Sequence, residues 1–335
     1  MPKKRSHFQN KSELFATKAV LGALGAFPFS TSIKIGESIG RVFSRFPGRL
    51  RFVGLRNLEL ALPELSPEEH ERVLRGSFES LGRQLALVSH FPYFTPEKVK
   101  EVLDVEGLDF VKEAQTAGRG IVIFSGHLGG WEMSHLAFPA LGFRWNVLVR
   151  RIDNALVENF VENLRTRLGS RTIDKKDSAR TMLRLLQKGE LLGIVADLNM
   201  QEQEGTFVDF FGIPASTTTG LARLALRTNA AIIPLFIIWQ PERKKYLFKL
   251  EPPVEYETTS DAERDVRDLT QKITKVIEKY VRLYPEQWLW IHKRWNTRPA
   301  GEPNFYAKDF QVQSLSRVQS PKSKVQSQTE VEPEG

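Results

Sequence analysis

The sequence predicts an α/β fold, a mixed central sheet flanked by helices, with a membrane-associated helix at its N-terminus. Short β-branched runs alternate with segments whose apolar residues recur at three- and four-residue steps, which marks strands separated by helices. The 335-residue chain is 41% hydrophobic with 22 Phe and 6 Trp, enough for a sizeable core. Near its start, the uncharged stretch Ala19 to Ile33 lies between two basic clusters.

That N-terminal region is read first. Lys3, Lys4, Arg5 and Lys11 precede the first acid, Glu13, and Lys34, Arg41, Arg45, Arg49, Arg51 and Arg56 face only Glu37. The formal net charge of +8 therefore favours an anionic partner surface, phospholipid headgroups or nucleic acid. The uncharged stretch is 15 residues long, short of the roughly 20 that a spanning helix needs. Gly22, Gly25 and Pro28 interrupt it. No small-residue cleavage site precedes the next basic stretch, so a signal peptide fits poorly. Residues 1–36 are expected to form a basic N-terminus and membrane anchor, inserted or lying in the interface. Residues 37–310 read as one continuous domain without repeats, and 311–335, rich in Gln, Ser, Lys and Glu, as a disordered tail.

Within the domain, Val73, Leu74, Phe78, Leu81, Leu85 and Val88 predict a helix over Pro67 to Val88. Gly120-Ile-Val-Ile-Phe-Ser125 reads as a strand, Gly126 to Gly130 as a tight turn and Trp131 to Leu141 as a helix. Further strands are expected at Trp145 to Val149, Leu191 to Ala196, Ala231 to Trp239 and Tyr246 to Leu250. Helices are expected at Ala155 to Leu168, Ser178 to Lys188, Ser216 to Thr228 and Ala262 to Leu283, with Ser216 as a cap. Ligands bind such sheets at the carboxyl ends of the strands.

The chain has no cysteine, which excludes disulfides, thiolate metal sites and thiol nucleophiles. It has no Gly-x-Ser-x-Gly elbow, His-Glu-x-x-His helix, phosphate loop or dinucleotide fingerprint. Ser125 and His127 sit two residues apart at a strand end, which argues against a serine nucleophile there. Of six histidines, only His127 has an acid, Glu132, five residues on. Five helical residues turn about 500°, so the two side chains meet only if a turn intervenes. Gly129 and Gly130 supply that turn. A neutral imidazole oriented by a carboxylate is suited to general-base catalysis on a hydroxyl. The Gly129 and Gly130 amides are expected to stabilise an oxyanion. A histidine that only caps the turn is the alternative.

Several blocks then converge. Ser125-Gly-His-Leu-Gly-Gly-Trp-Glu132, Arg150-Arg-Ile-Asp-Asn154, Arg165-Thr-Arg-Leu-Gly169, Phe207-Val-Asp-Phe-Phe-Gly212, Ala215-Ser-Thr-Thr-Thr-Gly220 and Pro285-Glu-Gln-Trp-Leu-Trp-Ile-His-Lys-Arg-Trp295 run in one order over residues 15 to 300. They resemble the late lauroyl/myristoyl acyltransferases of bacterial lipid A biosynthesis, within the wider lysophospholipid acyltransferase-like group. The resemblance implies a glycerol-3-phosphate acyltransferase-like domain at the cytoplasmic face of the bacterial inner membrane. It implies transfer of a fatty acyl group from acyl carrier protein, or from acyl-coenzyme A, to a hydroxyl of a membrane glycolipid. It makes His127 and Glu132 catalytic. It points to Arg150, Asn154 and Asp197 as family positions, and Asn199 beside Asp197 joins them as a substrate-binding candidate.

Arg150, just past the strand Trp145 to Val149, is suited to an anionic substrate, or else pairs with Asp153. Asp197 and Asn199 close the strand Leu191 to Ala196 and could orient substrate or the catalytic loop, or form a turn. The basic run Arg165, Arg167, Arg171, Lys175, Lys176, Arg180 and Arg184 could dock the acidic carrier protein or be a solvated face. Trp288, Trp290 and Trp295 read as packing residues. No cofactor or metal is expected. An acyltransferase for a lysophospholipid or other lipid acceptor, and a non-catalytic basic binding protein of the membrane surface, are the competing readings. A nucleic-acid partner is not expected, because the cations surround an apolar anchor.

Overall fold

The computed structural model describes residues 6–175, 178–307 and 310. Lys3, Lys4, Arg5, Lys176 and the tail 311–335 lie outside the described residues. The chain opens with four helices, α1 (His7–Gly25), α2 (Phe29–Phe43), α3 (Arg49–Ala61) and α4 (Pro67–Ser89). Short helices α5 (Pro96–Glu101) and α6 (Leu108–Thr116) flank strand β1 (Leu103–Glu106). Strands and helices then alternate through β2 (Ile121–Ser125), α7 (Ser134–Ala140), β3 (Trp145–Val149), α8 (Ala155–Arg165), β4 (Arg171–Asp174), α9 (Ala179–Gln187) and β5 (Leu191–Val195). A hairpin, β6 (Gly205–Phe210) and β7 (Ile213–Thr218), precedes α10 (Gly220–Thr228), β8 (Ala231–Gln240), β9 (Lys245–Leu250) and α11 (Ala262–Leu283).

Seven strands form one sheet in the order β1-β9-β8-β2-β5-β3-β4. The run β8-β2-β5-β3-β4 is parallel, while β9 runs antiparallel to β8 and carries β1 parallel to itself. This is the expected mixed sheet with helices on its faces. The period of two explains the layers: Ile121 and Ile123 of β2 join one buried cluster, while Val122 and Phe124 join the other. All four are at most 2% exposed.

The N-terminal segment departs from the expectation of a separate anchor. Pro28 divides it into α1 and α2, and the boundary at 36/37 falls inside α2. Among the described residues no helix is long and apolar enough to cross a membrane. Leu21, Leu24 and Ile33 are buried, and α2 lies directly on α4. A Cβ on Gly36 would sit 2.2 Å from the Gly82 carbonyl oxygen, so the two helices touch backbone to backbone and only glycine fits. Two further expectations are corrected. Ser216 lies in β7 and caps nothing, because its segment pairs with β6. The segment after Gly130 begins as a single tight turn, Trp131–Met133, before α7. The short edge strands β1 and β4 and the β6–β7 hairpin went unanticipated.

Candidate active site

Strands β2 and β5 are parallel neighbours with Ser125 opposite Val195. Two residues beyond each partner the chain reaches His127 and Asp197, at the carboxyl edge of the sheet. His127 Nδ1 lies 2.7 Å from Asp197 Oδ1. The His127 backbone N–H donates to Asp197 Oδ2 at 2.7 Å, and the Trp288 indole N–H donates to the same oxygen at 2.8 Å. An ionised carboxylate only accepts, which assigns the imidazole proton to Nδ1. Nε2, free of hydrogen bonds among the described residues, keeps its lone pair in a ring whose side chain is 19% exposed. The Trp131 ring stands edge-on to it, 5.3 Å between centroids.

Burial works against charging His127, but the Asp197 charge and hydrogen bond outweigh it and raise its pKa above 6.5. Burial likewise opposes the Asp197 carboxylate, yet His127 and Trp288 hold its pKa well below the usual carboxylate range. His292, half-buried nearby, is pushed down to about 4 by desolvation and is neutral near pH 7, with Nε2 accepting the Asn199 backbone N–H at 3.0 Å.

Glu132 does not bond His127; that expectation is corrected by the partner it takes instead. Arg165 grips it in a two-pronged pair, Nε to Oε2 at 2.8 Å and Nη2 to Oε1 at 2.6 Å. Burial disfavours this carboxylate, and the Arg165 charge and hydrogen bonds more than compensate, lowering its pKa. His135 Nε2 lies 3.8 Å away, in a ring pushed down to about 4 by burial. Arg165 is therefore held inside the site rather than in the basic run read as a carrier-protein dock or a solvated face.

The amides of Gly129 and Gly130 are not available as an oxyanion hole. Gly129 donates to the Gln287 carbonyl at 2.9 Å and Gly130 to the Ile237 carbonyl at 2.7 Å. These bonds fasten the His127 loop between β8 and the Pro285 segment. Gly129 has φ 62°, and a Cβ there would lie 2.0 Å from the Ile237 oxygen.

The other site candidates separate. Arg150 follows β3 at the same sheet edge, exposed and without an ion pair among the described residues; Asp153 does not hold it. Asn154 caps α8, accepting from the Leu156 and Val157 amides, and donates to the Asn10 carbonyl and to Glu13 Oε2. Its side chain is consumed in tying α1 to α8, which overturns a substrate contact. Asn199 is likewise engaged, with Thr297 and the Met200 carbonyl. Asp197 acts on His127 rather than on substrate.

Beside this edge runs a largely apolar groove of about 610 Å³. Val20 and Leu21 of α1, Leu85 and Val88 of α4 and Val161 of α8 line it, with Trp131, Glu132 and Arg165 completing the wall. Trp131 thus touches both the His127 ring and the groove. Of the four groups that build the site beyond His127, sequence reasoning placed Glu132 near the chemistry, gave Asp197 the orienting of the catalytic loop as one of its open roles, and missed the roles of Arg165 and Trp288. The parallel pairing of β2 with β5 is the signal that would have found Asp197.

Residues 1–297 match the family model for bacterial lipid A biosynthesis acyltransferases. The chain is 29% identical to the lipid A biosynthesis lauroyltransferase of Escherichia coli (strain K12), over 86% of this chain and 92% of that protein. It is 29% identical to the palmitoleoyltransferase of the same organism, over 83% and 89%, and 24% identical to its myristoyltransferase, over 83% and 86%. The match across most of the chain shows that the protein belongs to the bacterial lipid A biosynthesis acyltransferase family.

Proposed function

We propose that this protein transfers a fatty acyl group from a thioester donor, acyl carrier protein in preference to acyl-coenzyme A, to a hydroxyl of a lipid A precursor. The observation that carries the proposal is His127 itself, with Nδ1–H bound to Asp197, Nε2 unpartnered among the described residues, and the Trp131 ring between the imidazole and an apolar groove. In this reading Nε2 takes the proton of the acceptor hydroxyl, the oxygen attacks the thioester carbonyl, and the imidazolium returns the proton to the departing thiolate. Asp197 fixes the tautomer and stabilises the imidazolium as it forms. No acyl-enzyme is required, since no cysteine exists and the Ser125 hydroxyl is turned onto the Gly126 carbonyl.

Glu132 is assigned here as the positioning partner of Arg165. With the Gly129 and Gly130 amides occupied, the Arg165 guanidinium is the remaining cation at the groove wall to offset charge on the thioester oxygen. The groove suits an acyl chain, because aliphatic side chains line it on three helices. Arg150 supplies an unpaired cation for an anionic donor or acceptor at the same edge. The basic and apolar character of the N-terminal helices supports attachment to an anionic membrane, which this reading assigns to the cytoplasmic face of the inner membrane. Incubating the purified protein with acyl carrier protein thioester or acyl-coenzyme A and a panel of lipid acceptors, then weighing each lipid, tests the reading. A mass gain on the lipid A precursor is expected, and acylation of a lysophospholipid instead would replace the acceptor.

A further inference from the structure

Helix α2 faces α4 with Ser32, Ile33, Gly36 and Gly40, all buried. Its opposite side is largely apolar, with Ile35 and Ile39 half-buried and Val42 exposed. Ile35, Ile39 and Val42 share that side at three- and four-residue steps and border a shallow hollow of about 470 Å³. The stripe continues past the helix end, where Phe43 is 60% and Phe46 62% exposed and their rings meet at 6.2 Å. Leu50, at the start of α3, extends it and is half-exposed. Apolar surface left in one such continuous strip marks an interaction site.

The charge around the stripe identifies the partner. Lys34, Arg45 and Arg49 flank it without an ion pair among the described residues, whereas Arg41 is held by Glu79 and Arg51 by Glu71. The one acid of the region, Glu37, is turned to Arg83 on α4. The face is therefore apolar at its centre and positive at its margins. A second copy of the same face would be repelled, and an apolar protein partner would leave the cations unmatched. Anionic lipid headgroups over a hydrocarbon layer match both features.

We infer that the outer face of α2 and the turn leading to α3 is a docking surface that lies in the interface of an anionic bilayer, with Phe43 and Phe46 as its apolar wedge. This deepens, and rests on, the membrane placement proposed above. It extends attachment beyond the uncharged stretch Ala19 to Ile33, of which Leu21, Leu24 and Ile33 are buried inside the protein while Val20 and Phe27 stay exposed. The position also serves the reaction. Arg49 and Leu50 line a second hollow of about 340 Å³ that ends on His292, the ring next to Asp197. Docking by this corner turns that side of the site towards the bilayer in which the acceptor resides.

The test is co-sedimentation of the full chain with vesicles of phosphatidylcholine, with and without a quarter phosphatidylglycerol, beside a transfer assay on detergent-dispersed acceptor. Wild-type protein should sediment with the anionic vesicles far more than with the neutral ones. The Phe43→Ser/Phe46→Ser double variant should lower the partition coefficient at least about tenfold, from the loss of two inserted rings. Arg45→Glu should lower it by about tenfold or more on anionic vesicles alone. Both variants should keep wild-type transfer in detergent, which also shows that they fold. Sedimentation of either variant like wild type, or equal wild-type binding to neutral vesicles, overturns the docking surface. Loss of vesicle binding in the variants with no transfer by any form of the protein would uphold the surface and remove the acyltransfer reading instead.

Discussion

Replacing Asp197 with asparagine isolates the interaction that sets up the site. The carboxylate accepts three hydrogen bonds, at 2.7 Å from His127 Nδ1, 2.7 Å from the His127 amide and 2.8 Å from Trp288. A carboxamide of the same shape offers one oxygen and one NH2 group. At least one of the three donors then faces an N–H. Either that donor is left unsatisfied, at about 1–3 kcal/mol, or the imidazole moves its proton to Nε2 and stops being a base towards substrate. The second outcome lowers kcat by about 10²–10⁴-fold, the range seen when a histidine base loses its orienting carboxylate. The pH dependence shifts as well. A base must be unprotonated, so the wild-type rate should rise with pH through a His127 pKa above 6.5. In Asp197→Asn the raising charge is gone while burial remains, and the acid limb should move below 6.5. Stability gives an independent readout. A histidine whose folded pKa is raised contributes stability that is present below pH 6.5 and lost as pH climbs through the folded pKa. The variant should therefore lose that alkaline fall in Tm. Kinetics and thermal unfolding between pH 5 and 9 test this, and a variant with wild-type kcat and an unmoved acid limb would refute the role given to Asp197.

Substitutions at three other positions probe separate parts of the account. Glu132→Ala leaves Arg165 buried without its carboxylate, so thermal or urea denaturation should show a loss of about 3–5 kcal/mol; Glu132→Gln should lose less. Gly36→Leu forces a side chain into the Gly82 carbonyl at the α2–α4 contact and should cost about 3 kcal/mol. Val88→Phe fills the apolar groove and should lower kcat/KM for long-chain donors by about tenfold relative to short ones, read by competition between two acyl thioesters.

Much of the sheet could be read directly, because β2, β3, β5, β8 and β9 are strongly β-branched or aromatic runs bounded by turn residues. The four-residue strands β1 and β4 carry too few residues to show a period, and both lie at sheet edges where polar residues are tolerated. The β6–β7 hairpin hid because the Ala215-Ser-Thr-Thr-Thr segment resembles a helix cap as much as a strand. His127 was legible from its glycine-bounded turn. Asp197 was legible as a site residue that could orient substrate or the catalytic loop, but its direct bond to the His127 ring was not, since it lies 70 residues on and meets that ring through the β2–β5 register. Glu132 was tied to the wrong group for the same reason: Arg165, 33 residues later, reaches it across α8. Asn154 looked like a substrate contact because a capping asparagine and a binding asparagine are the same residue until the helix behind it is seen.

The most direct test of direct transfer by His127 is a single-turnover reaction with excess enzyme, acyl carrier protein thioester and lipid A precursor, followed by mass spectrometry of lipid and protein together. The wild-type enzyme should convert the lipid to its acylated form while the protein keeps its mass throughout, and folded His127→Ala should convert none. An acylated protein preceding the product, or His127→Ala turning over at the wild-type rate, would contradict the mechanism.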